Sequence, residues 1–261
     1  MSEKMLLLTG EGKIPLLVYQ RASLTSEVLV LSSSFLCPEE GLPVHFFCSS
    51  FSVNDVIRLV KDHGIRRVCL AGKVPKRVLF QGGFLSQEIE ATSPSFADQV
   101  IIKKVMMDLM REGLEVVSPL TFLADSLTPP GVLTERIPDV QEWSDIALGF
   151  RVARFLADEE IGQTVVVKRG TVLSLEGAEG TDTAIQRGLE LGRGGVVVKV
   201  ARSSQDFFID IPTIGLQTIE LLVRFGGQVL AVESGKTLFL DRDEALDRAE
   251  KHSLSIVGIE R

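Results

Sequence analysis

A chain of 261 residues that is 45% hydrophobic, 24% charged and 6% aromatic, with mean hydropathy +0.23, can fill one large core or two small ones and is too apolar for disorder. A formal net charge of -7 and a pI near 5.2 argue against a general affinity for nucleic acid, which needs a clustered basic face. Any anionic ligand must therefore be met by local cations.

In chain order, "MLLLTG" and "EVLVLSS" read as the first two strands. Ser52 precedes "VNDVIRLVKDHG", where Val53, Val56, Ile57 and Val60 recur at helical spacing and Gly64 stands at the stop. "RRVCLAG" is a further buried strand, Phe96 to Glu112 a helix through Val100, Ile101, Val105, Met106 and Leu109, and "LEVVSP" a strand. Short apolar strands alternating with helices predict an N-terminal Rossmann-like parallel sheet over residues 1–124. The proline-rich stretch Asp125 to Asp139 interrupts both periodicities and reads as the linker. Over 140–261 a second α/β domain with a mixed sheet is expected. It holds the helix "QEWSDIALGFRVARFLAD", two strands joined by a tight turn at Lys168, Arg169 and Gly170, and a helix capped by Thr181 or Asp182. Strand "GVVVKVA", a helix from about Gly215, strand "QVLAVE", the run "TLFLD", helix "RDEALDRAEKHS" and strand "LSIVGI" complete it.

Cys37, Cys48 and Cys69 show no C-x-x-C spacing and are expected to be structural thiols in a reducing cytosol. No run approaches the roughly 20 apolar residues of a membrane span, so the chain is expected to be cytoplasmic, with peripheral contact at the inner membrane left open.

"TGEGKIP" follows the first strand, where backbone N–H groups can hold phosphate, but it is equally a tight strand-to-helix turn; Gly10 and Gly12 are its candidate residues. A nicotinamide site would want an acid at the end of the second strand, and "VLVLSSSF" offers serines. "AGKVPKR" places Gly72, Lys73, Lys76 and Arg77 after another strand, either to meet a polyanion or as solvated loop cations. His45, His63 and His252 form no zinc spacing, and there is no G-x-S-x-G elbow.

The acids of the second half cluster at turns and strand ends: Glu176, Glu179 and Asp182, then Asp206 and Asp210, then Glu233 with Lys236. Magnesium takes one or two carboxylates plus substrate phosphates while Lys and Arg offset the remaining charge, and Lys199 and Arg202 suit that part. Helix capping by Asp182 and an Asx turn at Asp206 are the competing readings.

"GEGKIP", "VCLAGKVPKR", "GQTVVVKRGTVLSLEGAEGTDTAIQRG", "VVVKVARSSQDFFIDIPTIGLQTIE" and "LAVESGKTLFLD" together resemble the UDP-2,3-diacylglucosamine pyrophosphatases of the LpxI type, in the family's order. The resemblance implies a two-domain, magnesium-dependent hydrolase of lipid A biosynthesis. It would cleave UDP-2,3-diacylglucosamine to UMP and 2,3-diacylglucosamine 1-phosphate, with water directed at the sugar-side phosphorus. It also implies a homodimer and a lipid held between domains.

The family's D-[ILV]-P-x-[IV]-G acid matches Asp210, its "EGTD" matches Glu179, Gly180, Thr181 and Asp182, and its "QD" matches Gln205 and Asp206. Asp210 and Asp206 are thus the expected catalytic pair, with Asp182, Asp206 and Asp210 as metal ligands. Lys199, Arg202, Gln205 and Thr213 join the glycine turn, Gly72, Lys73 and Glu179 to Thr181 in substrate binding. Arg202, Ser203 and Ser204 depart from the family's Lys-Pro-Gly, and Phe208 stands where an arginine is common. A nicotinamide-dependent oxidoreductase, or a nucleotide or lipid sensor without turnover, are the alternative readings.

Overall fold

A computed structural model describes residues 3–49, 52–74, 98–208 and 211–260. Lys76, Arg77, the expected helix start at Phe96, the side chains of Val100 and Ile101, and Asp210 lie outside the described residues. The chain divides into two units, Met1–Ala124 with Asp206–Asp210, and Asp125–Gln205 with Ile211–Arg261.

In the first unit the chain runs through β1 (Glu3–Thr9), α1 (Lys13–Ala22), β2 (Ser26–Ser33), β3 (Phe46–Cys48), α2 (Val53–His63) and β4 (Arg67–Ala71). It continues through α3 (Asp98–Arg111), β5 (Glu115–Val117) and the one-turn α4 (Leu120–Leu123). The five strands are parallel in the order β3-β2-β1-β4-β5, with Leu7 of central β1 opposite Val30 and Cys69. That order belongs to the doubly wound sheets. Met5, Leu6 and Leu7 are fully buried, which is why the strand reads as a continuous apolar run rather than an alternating one. Val56 and Val60 of α2 and Val105 and Leu109 of α3 bury into the same core, and α2 stops at Gly64 in the left-handed region, φ 64°.

Cys69 is fully buried, and burial pushes its thiol up to about 12, with the Arg67 charge opposing. Burial also raises half-buried Cys48, whereas Cys37 is exposed and departs from the structural role expected of it. Since the thiolate is the nucleophile, a disulfide reagent at neutral pH should modify Cys37 within the native protein and Cys69 only after denaturant. Stoichiometric labelling of Cys69 without denaturant, located by peptide mass, would contradict this packing.

The second unit begins at Asp125 and takes in the stretch read as the linker, whose β6 (Gly131–Val132) pairs antiparallel with the last strand. Its first long helix is α5 (Val140–Asp158). A capping box opens it: the Asp139 carboxylate accepts from Glu142 N at 2.7 Å, and Glu142 accepts from Asp139 N at 2.8 Å. Then come β7 (Thr164–Lys168), β8 (Thr171–Leu175), α6 (Thr181–Leu191), β9 (Val196–Lys199), β10 (Thr213–Ile214) and α7 (Leu216–Phe225). The chain ends with β11 (Val229–Glu233), β12 (Leu238–Phe239), α8 (Arg242–Lys251) and β13 (Ser255–Ile259).

Six of these strands form a mixed sheet, β6-β13-β11-β9-β7-β8, with β9, β11 and β13 parallel, while β10 and β12 make a separate parallel pair. Alternation assigns the faces. Val166, Val197, Leu230 and Ile256 meet Ile185, Leu189, Ile219 and Leu222 of α6 and α7. Val165, Val167, Val196, Val198 and Val229 meet Ile146, Ala153 and Leu156 of α5. The β7–β8 turn has positive φ at Arg169 (47°) and Gly170 (75°), as tight hairpins require. Buried Asp145 of α5 accepts both turn N–H groups at 2.7 Å. No helix among the described residues is long and apolar enough to cross a membrane.

Candidate functional site

Within the first unit the carboxyl ends of β1 and β4 lie side by side where the strand order reverses, the usual place for a ligand in an open α/β sheet. Here the two loops are stitched to each other. Gly10 N donates to Ala71 O at 2.7 Å, and Glu11 and Lys73 exchange N–H···O bonds of 2.8 and 3.0 Å. A Cβ on Gly10 would lie 2.6 Å from Lys73 O, and one on Gly72, whose φ is +94°, would lie 2.7 Å from Pro15 Cγ. These two glycines therefore serve close approach of backbone to backbone. Gly12 is different: it is the N-cap of α1 at φ 93°, with open space where a Cβ would stand. Two N–H groups that a bound phosphate would want are thus taken by carbonyls of the chain itself. Lys73 is exposed.

Asp206 belongs to this same unit, and its Oδ1 accepts from Phe208 N at 3.1 Å, the Asx turn expected as its passive role. Ser118 Oγ donates to Phe207 O at 3.0 Å, and Phe208 packs against the unit's core cluster. Where the resemblance leads one to expect an arginine, this chain places an apolar anchor.

In the second unit the structure brings Thr181, Lys199 and Thr213 together. Lys199, at the end of β9, donates through Nζ to Thr213 O at 3.1 Å and lies 3.5 Å from Thr181 Oγ1. Thr181 in turn donates to Glu176 Oε1 at 2.8 Å, and Glu176 Oε2 accepts from Gln163 N at 3.1 Å. The N-cap of α6 is Gly180, at φ 85° and with no side-chain cap, rather than Thr181 or Asp182. The positive φ selects glycine, and Glu176 draws the Thr181 hydroxyl aside. Asp182 is exposed in the first turn, where its charge complements the free N–H groups of the helix. Glu179 pairs with Arg187 of the same helix at 2.7 Å. Its carboxyl is held below the usual range by its own backbone N–H, with burial opposing and Arg187 adding to the effect.

The loop after β9 carries Arg202 and Gln205, joined by Arg202 N donating to Gln205 Oε1 at 3.1 Å. Arg202 Nε is buried and has no acceptor among the described residues. A buried guanidinium N–H without an acceptor costs free energy that an incoming anion would return.

Glu233 and Lys236, grouped in the sequence with the acid and cation cluster, are committed elsewhere. Glu233 is 2% exposed; its Oε1 lies 2.6 Å from Arg154 NH2 and 3.0 Å from Lys236 Nζ, and its Oε2 accepts from Ala201 N at 3.0 Å. Arg154 and Asp158, which bind the loop after β9, gave no signal in the sequence, because two charges four residues apart on a helix look like a solvated face. Among the described residues no three of His, Cys, Asp and Glu converge as a metal site. Within the second unit, exposed Asp182 is a carboxylate of the kind that magnesium takes, an ion that keeps several waters and leans on substrate phosphates.

Two family models cover nearly the whole chain: LpxI N-terminal domain matches residues 4–126 and LpxI C-terminal domain matches residues 129–257. The UDP-2,3-diacylglucosamine pyrophosphatase LpxI of Caulobacter vibrioides is 28% identical over 220 residues, 78% of this chain and 78% of its own. Among solved structures, CobK precorrin-6A reductase is 10% identical, covering 99% of this chain and 88% of its own, with a TM-score of 0.34. An N-terminal ketoreductase from a macrolactin assembly line is 8% identical, covering 99% of this chain and 54% of its own, with a TM-score of 0.27. At those scores neither structure bears on fold or reaction.

Proposed function

We propose that this chain, which belongs to the LpxI family, is a hydrolase of lipid A biosynthesis that splits UDP-2,3-diacylglucosamine into UMP and 2,3-diacylglucosamine 1-phosphate. The observation that carries the reading is the match of both family domains, in order, over almost the full chain, beside a relative named for that activity. The arrangement of Lys199 and Arg202 supports it. Both stand at or just beyond the end of β9, and the buried Arg202 Nε has no acceptor among the described residues. A diphosphate would supply that acceptor.

In this reading Asp210 orients water or holds metal, with Asp206 or Asp182 assisting. Lys199 and Arg202 offset the diphosphate charge, while Gln205 and Thr213 fix its position. Thr181, with Glu179 and Gly180, and the Gly10, Gly12, Gly72 and Lys73 loops take the remaining polar groups of the substrate. Magnesium, when bound, would neutralise phosphate oxygens as charge builds on the leaving UMP. Water adds to the sugar-side phosphorus, the bond from that phosphorus to the bridging oxygen breaks, and UMP departs with the electron pair.

Incubation of purified protein with UDP-2,3-diacylglucosamine and magnesium should release UMP, stop on adding a chelator and resume with excess magnesium. In ¹⁸O water the label should enter the sugar phosphate and not UMP. Absence of UMP at high enzyme concentration would end the proposal. The oxidoreductase alternative loses ground, since β2 ends in Ser32 and Ser33 without an acid and the Gly10 and Glu11 N–H groups are already bonded.

A further inference from the structure

The loop Ala201–Gln205 is gripped at two successive points by one face of α5. Arg154 NH1 donates to Ala201 O at 2.5 Å, while Ala201 N donates to Oε2 of Glu233, which pairs with Arg154. One helical turn on, the Asp158 carboxylate accepts from both groups that Ser203 offers, its N at 2.7 Å and its Oγ at 2.8 Å. Residues four apart on a helix lie on the same face, so Arg154 and Asp158 act side by side. Arg202 sits between the two gripped residues, and its own N–H closes the loop onto Gln205.

Residues 201–205 belong to no helix or strand, and an irregular segment with a serine pair would sample many conformations if left alone. A carboxylate that accepts a backbone N–H and a hydroxyl from the same residue fixes both its backbone and its rotamer. An ordinary solvated helix-end acid has no reason to spend both oxygens on a loop 45 residues away.

We propose that Asp158 is a positioning residue: with the Arg154–Glu233 pair it presets the loop so that the Arg202 guanidinium is presented to the diphosphate before substrate arrives. The inference rests on the hydrolase reading for its natural substrate, but the presetting is a property of the free protein. If Arg202 meets the diphosphate equally in ground and transition states, loosening the loop lowers only the fraction of protein competent to bind. Asp158→Ala should then raise KM for UDP-2,3-diacylglucosamine about three- to tenfold and leave kcat within about twofold.

Asp158 is exposed, so Asp158→Ala should fold. Asp158→Asn retains one oxygen that can accept from Ser203 N, and should recover most of the KM. Two readouts do not depend on the hydrolase reading. Hydrogen exchange in the free protein should speed up across 201–205 in Asp158→Ala and stay near wild type elsewhere. A calorimetric titration with inorganic pyrophosphate should weaken by the same three- to tenfold factor. Wild-type KM in Asp158→Ala, or unchanged exchange at Ser203 together with unchanged pyrophosphate affinity, would overturn the inference. A wild-type protein that binds pyrophosphate and shows this exchange difference, yet never releases UMP, would remove the hydrolase reading and leave the positioning role in place.

Discussion

Asp210→Ala is expected to lower kcat by on the order of 10²–10⁴-fold, the usual worth of a positioned acid–base group, while the thermal unfolding midpoint stays near wild type. The expectation comes from the motif "DIPTIG", in which a carboxylate precedes the Ile-Pro pair and which the resemblance matches to the family's principal catalytic candidate. Asp206 provides the contrast. Its Oδ1 already accepts from Phe208 N, so part of its work is to shape the turn. Asp206→Asn keeps an oxygen that can accept that bond, and Asp206→Ala does not. If Asp206 only shapes the turn, the Asn variant should turn over near the wild-type rate; if it also holds magnesium, Asn should fail as badly as Ala, and raised magnesium should partly restore it. Near-normal turnover in Asp210→Ala would take that residue out of the reaction and leave Asp206 as the acid to examine.

What the sequence disclosed follows from the range of the forces involved. Strand and helix positions were legible because burial imposes its period locally: β1, β2, β4 and β9 are apolar runs, and Val56 and Val60 repeat at helical spacing. The tight turn at Arg169 and Gly170 is likewise written in adjacent residues. The destinations of charged side chains were not legible. Asp145 lies inside an ordinary helical pattern, yet it closes a hairpin turn 24 residues away. Glu233 looked like a partner for Lys236 and a phosphate site, but the more intimate contact is Arg154, on a helix 79 positions earlier, by the difference of the two residue numbers. Phe208 reads in the sequence as a missing cation; that it belongs to the first unit and packs on that unit's core depends on where the chain goes after Gln205, which no local pattern encodes. Even the glycines divide this way. Gly12 and Gly180 are dictated by their own φ, whereas Gly10 is dictated by Gly72 and Lys73 in the loop after β4.

The same reasoning assigns the largest stability loss to Arg154→Ala. The Glu233 side chain is 3% exposed and that of Arg154 is 12% exposed, so neither charge has bulk water to fall back on. Removing the guanidinium leaves a buried carboxylate with Lys236 and Ala201 N as its remaining partners. Breaking one side of such a pair costs about 3–5 kcal/mol in general. Two features place this case at the lower end. Lys236 still neutralises part of the charge, and Arg154 Nε has no acceptor among the described residues, so the wild-type pair is itself imperfectly satisfied. A loss of about 3 kcal/mol is a large share of the 5–15 kcal/mol that holds a typical domain together, and it should appear as a lower urea midpoint at unchanged m-value. Arg154→Met with Glu233→Gln removes both charges while keeping an acceptor for Ala201 N, and should cost less than the sum of its two single substitutions. That non-additivity separates a buried ion pair from two unrelated packing residues. Additive losses, or an Arg154→Ala protein within about 1 kcal/mol of wild type, would mean that the pair is solvated and that its grip on Ala201 contributes little.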